Sequence, residues 1–88
     1  MTGDPPTPDY KALGVAVAKL RRDRGWSVEH LAHEAQVAHR SVTNVEGGHH
    51  IPRLETIWRL AHAFEMRVGD LVNVLYGEEG DASVEARD

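Results

Sequence analysis

Residues 39–44 place several hydrogen-bonding side chains next to one another in a short stretch of chain. Arginine donates two parallel hydrogen bonds, asparagine both donates and accepts, and the hydroxyl and imidazole groups add further donors and acceptors. No nucleophile–base pair, phosphate loop or paired-carboxylate motif accompanies them, so the stretch favours recognition of a polar surface and argues against an enzyme. The polar residues are His39, Arg40, Ser41, Thr43 and Asn44.

Apolar residues around this stretch predict two short helices joined by a tight turn. Helices are expected over Val28–Ala35 and 39–46, with the turn at residues 36–38. A helix whose outer face consists of hydrogen-bonding side chains, braced by a neighbour across a tight turn, is the plan of a helix-turn-helix motif, which reads the major groove of DNA. The apolar residues that can share one interior are Leu31, Ala32, Ala35, Val37, Val42 and Val45.

Three further helices are predicted, over residues 10–24, 54–64 and 68–76, which makes the protein all-α. Ser27 is expected to cap the second helix, whereas Ala38 has no side-chain oxygen with which to cap the third. Proline-rich residues 1–9 are expected to form a mobile arm, and charged residues 77–88 an acidic, disordered tail. The helix-turn-helix domain is therefore expected over residues 10–76.

Composition indicates one small domain of 88 residues, in which 41% of the residues are hydrophobic. The net charge of −4 is concentrated in the ends, because residues 11–71 carry a charge of +2. Bulk acidity therefore does not exclude DNA as a partner. The absence of cysteine excludes disulfides, and no apolar run is long enough to span a bilayer. The N-terminus is not a signal peptide, so a cytoplasmic, nucleoid-associated location is expected.

The stretch from Leu13 to Val72 resembles the XRE/Cro-C1 family of bacterial and phage DNA-binding domains. The resemblance implies a lambda-repressor-like five-helix bundle and a sequence-specific transcriptional regulator that acts as a dimer. Three positions depart from the family pattern: Val28 replaces a glutamine that touches a phosphate, Gln36 replaces glycine, and Ala38 replaces serine or threonine. The matching residues are Leu20, Arg21, Gly25, Trp26, Ser27, Leu31, Ala32, Val37, Val42, Val45, Glu46, Gly48, Pro52, Leu54, Glu55, Thr56, Ile57, Leu60, Ala61 and Leu71.

The resemblance also implies roles for single residues. Arg21 and Glu46 are expected to form a structural ion pair that holds the third helix. The residues expected to contact DNA bases are His39, Arg40, Ser41 and Asn44. Those expected to contact phosphates are Ser27, Thr43, Gly47, Gly48, His49, His50 and Arg53.

The last predicted helix carries too many apolar residues for one face of a monomer, which predicts a homodimer. Two copies would then meet half-sites about 10 bp apart in a near-palindromic operator. The expected interface residues are Trp58, Met66, Val68, Val72, Leu75 and Tyr76.

Other interpretations remain open. The same fold can serve as a protein-interaction module with weak or no DNA binding. Protonated His39 or His50 next to phosphates would strengthen binding, which predicts tighter binding near pH 6 than near pH 8. The usual zinc-binding signatures are missing, so no metal, no other cofactor and no small-molecule ligand is expected.

Overall fold

The computed structural model describes residues 7–76. Between these residues the chain is all-α and contains no strand, which confirms the predicted fold class. None of the helices in this part of the chain is both long and apolar enough to cross a membrane. The five α-helices are α1 (Tyr10–Asp23), α2 (Val28–Ala35), α3 (His39–Gly47), α4 (Leu54–Ala63) and α5 (Val68–Val72), followed by a 3-10 turn at Asn73–Tyr76.

A single apolar core joins all five helices, because each of them buries at least one aliphatic side chain. The residues recur at helical spacing, as Leu13 and Val17 do on α1, so that each helix presents one apolar stripe inward. Burying one such side chain contributes roughly 1.5–3 kcal/mol. The largest fully buried side chains are Phe64, Leu13, Leu31, Leu60, Leu71, Val17 and Val42.

Ser27 and Gly25 mark the start of α2 and the end of α1. The Ser27 hydroxyl oxygen accepts a hydrogen bond from the backbone N–H of His30 at 3.0 Å, which confirms it as the cap of α2. After α1, Gly25 adopts a positive φ of 71°, a conformation that glycine enters without steric cost. The helix ends differ from the sequence prediction by one residue in α1, α3 and α4, since Arg24 and Phe64 are C-caps and Gly47 is helical.

The last helix is shorter than the sequence predicted. Instead of continuing to residue 76, α5 ends at Val72 and the chain tightens into a 3-10 turn, a common form of helix terminus. In this turn the carbonyl oxygen of Leu75 accepts a hydrogen bond of 2.7 Å from the backbone N–H of Asp9. The 3-10 turn is thus hydrogen-bonded to the residue that precedes α1.

Asp9, the last residue of the predicted N-terminal arm, makes two hydrogen bonds with the helical part of the chain. Its carboxylate accepts a hydrogen bond from the backbone N–H of Ala12 at 2.9 Å and so caps α1. Together with the bond to Leu75, this fixes Asp9 as part of the domain. The rest of the predicted arm up to residue 6, and the predicted acidic tail at 77–88, lie outside the described residues.

Candidate nucleic-acid interface

The turn between α2 and α3 holds its shape without glycine. Gln36 has a left-handed φ of 58°, and two backbone hydrogen bonds, from Gln36 to His33 and from Val37 to Ala32, close the end of α2. For a residue with a Cβ, this left-handed conformation is less stable by about 1–2 kcal/mol. Ala38, the last residue of the turn, has an extended backbone and occupies the N-cap position of α3. No side chain among residues 7–76 caps that helix.

α3 has one buried and one exposed side. Val42 and Val45 pack into the core, while His39, Arg40 and Thr43 are exposed and Ser41 and Asn44 are half-buried. The Thr43 hydroxyl donates a hydrogen bond of 3.0 Å to the carbonyl oxygen of Arg40, one turn earlier. The polar edge predicted from helical spacing therefore lies at the surface of this chain.

The loop between α3 and α4 continues this polar surface. Gly48, with a φ of 70°, ends α3, and His49, His50 and Arg53 follow as exposed residues. Between α3 and this loop lies an open groove of about 460 Å³, which we call the α3–α4 groove. Its lining residues are Ser41, Asn44, Val45, His50, Ile51, Pro52, Arg53 and Thr56.

The charge of this surface is positive. Residues 39–53 contain two arginines, three histidines and a single carboxylate, that of Glu46. Because Glu46 is paired with Arg21 from α1, its charge is compensated locally. A surface of this kind attracts an anionic polymer even though the whole chain carries a negative net charge.

Arg21 and Glu46 join α1 to the end of α3. Two nitrogens of the guanidinium donate to the Glu46 carboxylate at 2.7 and 3.2 Å, and the third donates to the carbonyl oxygen of Trp26 at 2.9 Å. Both side chains are 14% exposed. The hydrogen bond to Glu46 raises the pKa of Arg21 above its ordinary value, desolvation opposes that rise, and the Coulombic attraction of Glu46 adds to it. The guanidinium thus links α1 to the end of α3 and to the loop that precedes α2.

The structure brings only some of the expected dimer residues together. Trp58, Met66 and Val68 line a shallow cleft of about 340 Å³ with His62 and Arg67. Trp58 is 61% exposed and Tyr76 is 57% exposed. Met66 and Val68 also pack partly against the core of the same chain, as do Val72 and Leu75.

The histidines do not form a metal site with one another. Among residues 7–76, no group of three or more His, Cys, Asp or Glu side chains is arranged to hold a metal ion. On α2, the imidazole of His30 lies 3.6 Å from the carboxylate of Glu34 and 4.8 Å, between ring centroids, from Trp26.

Three residues that lie near the polar surface were not predicted from the sequence to do so. Ile51, which is 76% exposed, and Thr56 line the α3–α4 groove. Lys11 at the start of α1 lies against Gly48, since a Cβ added to Gly48 would meet the Lys11 Cα at 2.9 Å. The position of Ile51 between His50 and Pro52, in a loop, was only a weak indication that its apolar side chain would be exposed. For Lys11 the sequence carried no signal, because α1 and Gly48 meet only in the folded chain.

Comparison with known proteins identifies the family. A family model described as a helix-turn-helix domain matches residues 12–75. Comparison with curated proteins gives no match.

Solved structures share the fold. The clp gene regulator ClgR from Corynebacterium glutamicum is similar, with 24% identity, a TM-score of 0.69 and coverage of 93% of this chain and 88% of that chain. The hypothetical transcription factor NHTF from Neisseria is 23% identical, with a TM-score of 0.68 and coverage of 94% and 97%. An HTH_3 family transcriptional regulator from Vibrio cholerae is 19% identical, with a TM-score of 0.67, and covers 84% of this chain and 39% of that chain. At these identities the likeness shows the fold.

The family model spans both helices of the motif, the turn between them and the helices that support them. The resemblance to XRE/Cro-C1 helix-turn-helix proteins is thereby confirmed. This chain belongs to the helix-turn-helix domain family.

Proposed function

We propose that this protein is a sequence-specific DNA-binding transcriptional regulator that inserts α3 into the major groove. The observation that supports this most directly is the two-sided character of α3, with Val42 and Val45 buried and His39, Arg40 and Thr43 exposed. A single helix fits the major groove, where each base pair presents a distinct pattern of donors, acceptors and methyl groups. The family match supports a role in DNA binding and not in catalysis.

Sequence would be read by the first two turns of α3. The N-terminal part of a recognition helix enters the groove most deeply. Arg40 suits the O6 and N7 acceptors of guanine, and Asn44 suits N6 and N7 of adenine. His39 and Ser41 flank Arg40 and would contact the neighbouring bases.

Phosphate contacts would fix the protein on the duplex without reading sequence. The Ser27 hydroxyl accepts a hydrogen bond from His30 and still has its own proton to donate to a phosphate oxygen. Thr43 already donates its proton to the Arg40 carbonyl, so a phosphate contact would require that bond to break. The remaining proposed phosphate contacts are the backbone of Gly47 and Gly48 and the side chains of His49, His50 and Arg53.

A homodimer would place two α3 helices on the two halves of a near-palindromic operator. The exposed apolar residues Trp58 and Tyr76, with the half-exposed Met66, Val68, Val72 and Leu75, would form the contact between copies. Burial of such a surface favours association. Such a regulator would act at the nucleoid.

A binding titration tests the proposal. The full chain is used to select duplexes from a random-sequence DNA library, and the enriched duplex is then compared with a scrambled duplex of the same composition by fluorescence anisotropy. We expect tighter binding to the enriched duplex, and binding to both that falls steeply as salt rises, with a slope of about −0.9 per phosphate contacted.

The alternative function, a protein-interaction module, predicts a different result in the same selection and titration. A protein-interaction module on the same fold would enrich no sequence, and any residual DNA binding would not distinguish the two duplexes. That outcome would overturn the proposed function. The departures at Val28 and Gln36, which remove features that the XRE/Cro-C1 resemblance leads one to expect, are the reason for including this alternative in the test.

A further inference from the structure

α1 crosses the end of α3 so closely that no side chain fits between them at Gly14. Gly14 is buried in the middle of α1. A Cβ added there would lie 2.5 Å from the carbonyl oxygen of Val45 and 2.6 Å from that of Glu46, far inside ordinary contact distance. Both neighbours are backbone atoms of α3, so they cannot rotate aside as a flexible side chain would.

The same turn of α3 is held by two further contacts with α1. The Arg21 guanidinium binds the Glu46 carboxylate, and Gly48 lies against the backbone of Lys11. All three contacts act on residues 45–48, at the C-terminal end of α3. The opposite end carries His39 and Arg40, the residues proposed to enter the groove. The contacts with α1 thus lie at one end of α3, and the residues proposed to read DNA lie at the other.

We propose that Gly14 is a positioning residue for DNA-sequence recognition, because its missing side chain sets the distance between α1 and the recognition helix. This inference rests on the proposed function, since it concerns the same surface. Gly14 itself touches no DNA in this proposal. It acts through the backbone of Val45 and Glu46.

The size of the displacement explains why recognition should be sensitive to Gly14. Moving the Val45 oxygen from 2.5 Å to an ordinary contact of 3.4 Å or more requires the separation between α1 and α3 to grow by at least about 0.9 Å at this point. Hydrogen bonds to base edges tolerate a range of only about 0.5 Å in length. Contacts of long cationic side chains with phosphates depend on charge and adapt more easily. A methyl group at Gly14 should therefore weaken sequence reading more than general DNA binding.

Gly14→Ala is the test variant and Gly69→Ala is its matched control. The control adds the same methyl group to a helix, but at a position where a Cβ would meet no described atom within 4 Å beyond its chain neighbours and its own helix backbone. Both full-length variants are titrated with the duplex that the unmodified chain enriches and with its scrambled counterpart. Circular dichroism and thermal unfolding are measured in parallel.

We expect Gly14→Ala to lower the ratio of the two affinities by about tenfold, the scale of one lost base contact, and Gly69→Ala to leave it unchanged. A partly unfolded variant would lose affinity for both duplexes by the same factor, so the ratio separates positioning from stability. An unchanged ratio in Gly14→Ala would overturn the inference. A variant that does not fold at all would also overturn it, because Gly14 would then serve folding. Failure of the unmodified chain to prefer any duplex would instead refute the proposed function.

Discussion

Arg40 lies exposed in the first turn of α3, two residues after the N-cap Ala38. Arg40→Ala removes two hydrogen-bond donors that match one guanine, so operator affinity should fall by about 1–3 kcal/mol and preference at that base pair should relax. Titration with duplexes altered at each position measures both effects. The control is Arg22→Ala, which removes an equal charge from the exposed side of α1. Equal losses for the two variants at every position would remove Arg40 from the base-reading set.

Glu46 compensates the mostly buried Arg21 guanidinium, so removing one partner should cost more than removing both. Glu46→Leu leaves Arg21 without its carboxylate and should lower the free energy of unfolding by about 3 kcal/mol, and Arg21→Leu likewise leaves Glu46 unpaired, whereas the two substitutions combined should lower it by less than their sum. Urea unfolding of both single variants and the double variant measures the coupling. Additive losses would mean that the pair contributes no interaction energy.

The direction of the Arg21 pKa shift predicts how the contribution of the Arg21 charge to stability depends on pH. A cationic group whose pKa is raised by folding stabilises the protein at every pH below its unfolded pKa, and the contribution is lost only as the pH rises through the folded value. For an arginine this lies in the strongly alkaline range. The Arg21 charge should therefore make no pH-dependent contribution to stability near neutrality.

The N-terminus of α3 lacks a side-chain cap, although Ala38 already has the extended backbone of an N-cap, with φ −70° and ψ 150°. Ala38→Ser should supply the missing acceptor and raise the free energy of unfolding by about 1 kcal/mol. For a domain of this size that corresponds to about 4–8 °C in Tm. Thermal unfolding followed by circular dichroism measures the shift.

Ser27→Ala is the matched counterpart at the start of α2. It removes the observed hydrogen bond to the His30 N–H and should lower Tm by a similar amount. If Ala38→Ser left Tm unchanged while Ser27→Ala lowered it, the missing side-chain cap of α3 would not be what limits the stability of the domain.

The proposed homodimer would depend on apolar surface that the folded monomer leaves exposed. Trp58→Glu places a charge in the proposed contact and should convert a dimer, of twice the 9.8 kDa chain mass, into a monomer. Val15→Glu is the control, because Val15 is similarly exposed, at 64%, but lies on the outer side of α1. Sedimentation equilibrium measures both masses. Dissociation by both variants, or by neither, would contradict an interface at Trp58.

The sequence alone determined the features that depend on neighbours within one helical turn. Helical spacing placed Val42 and Val45 inside and Arg40 outside, and the serine at position 27 identified the start of α2. The polar edge of α3 could be predicted for the same reason, because residues three and four apart on a helix share a face.

Tertiary structure decided what depends on how helices meet. The bond from Asp9 to Leu75 joins the start of α1 to the 3-10 turn, and the approach of Gly14 to α3 exists only once both helices have packed. The exposure of Ile51 likewise follows from where the α3–α4 loop lies. Residues far apart in the chain make these contacts, and local spacing carries no information about the distance or angle at which two helices cross.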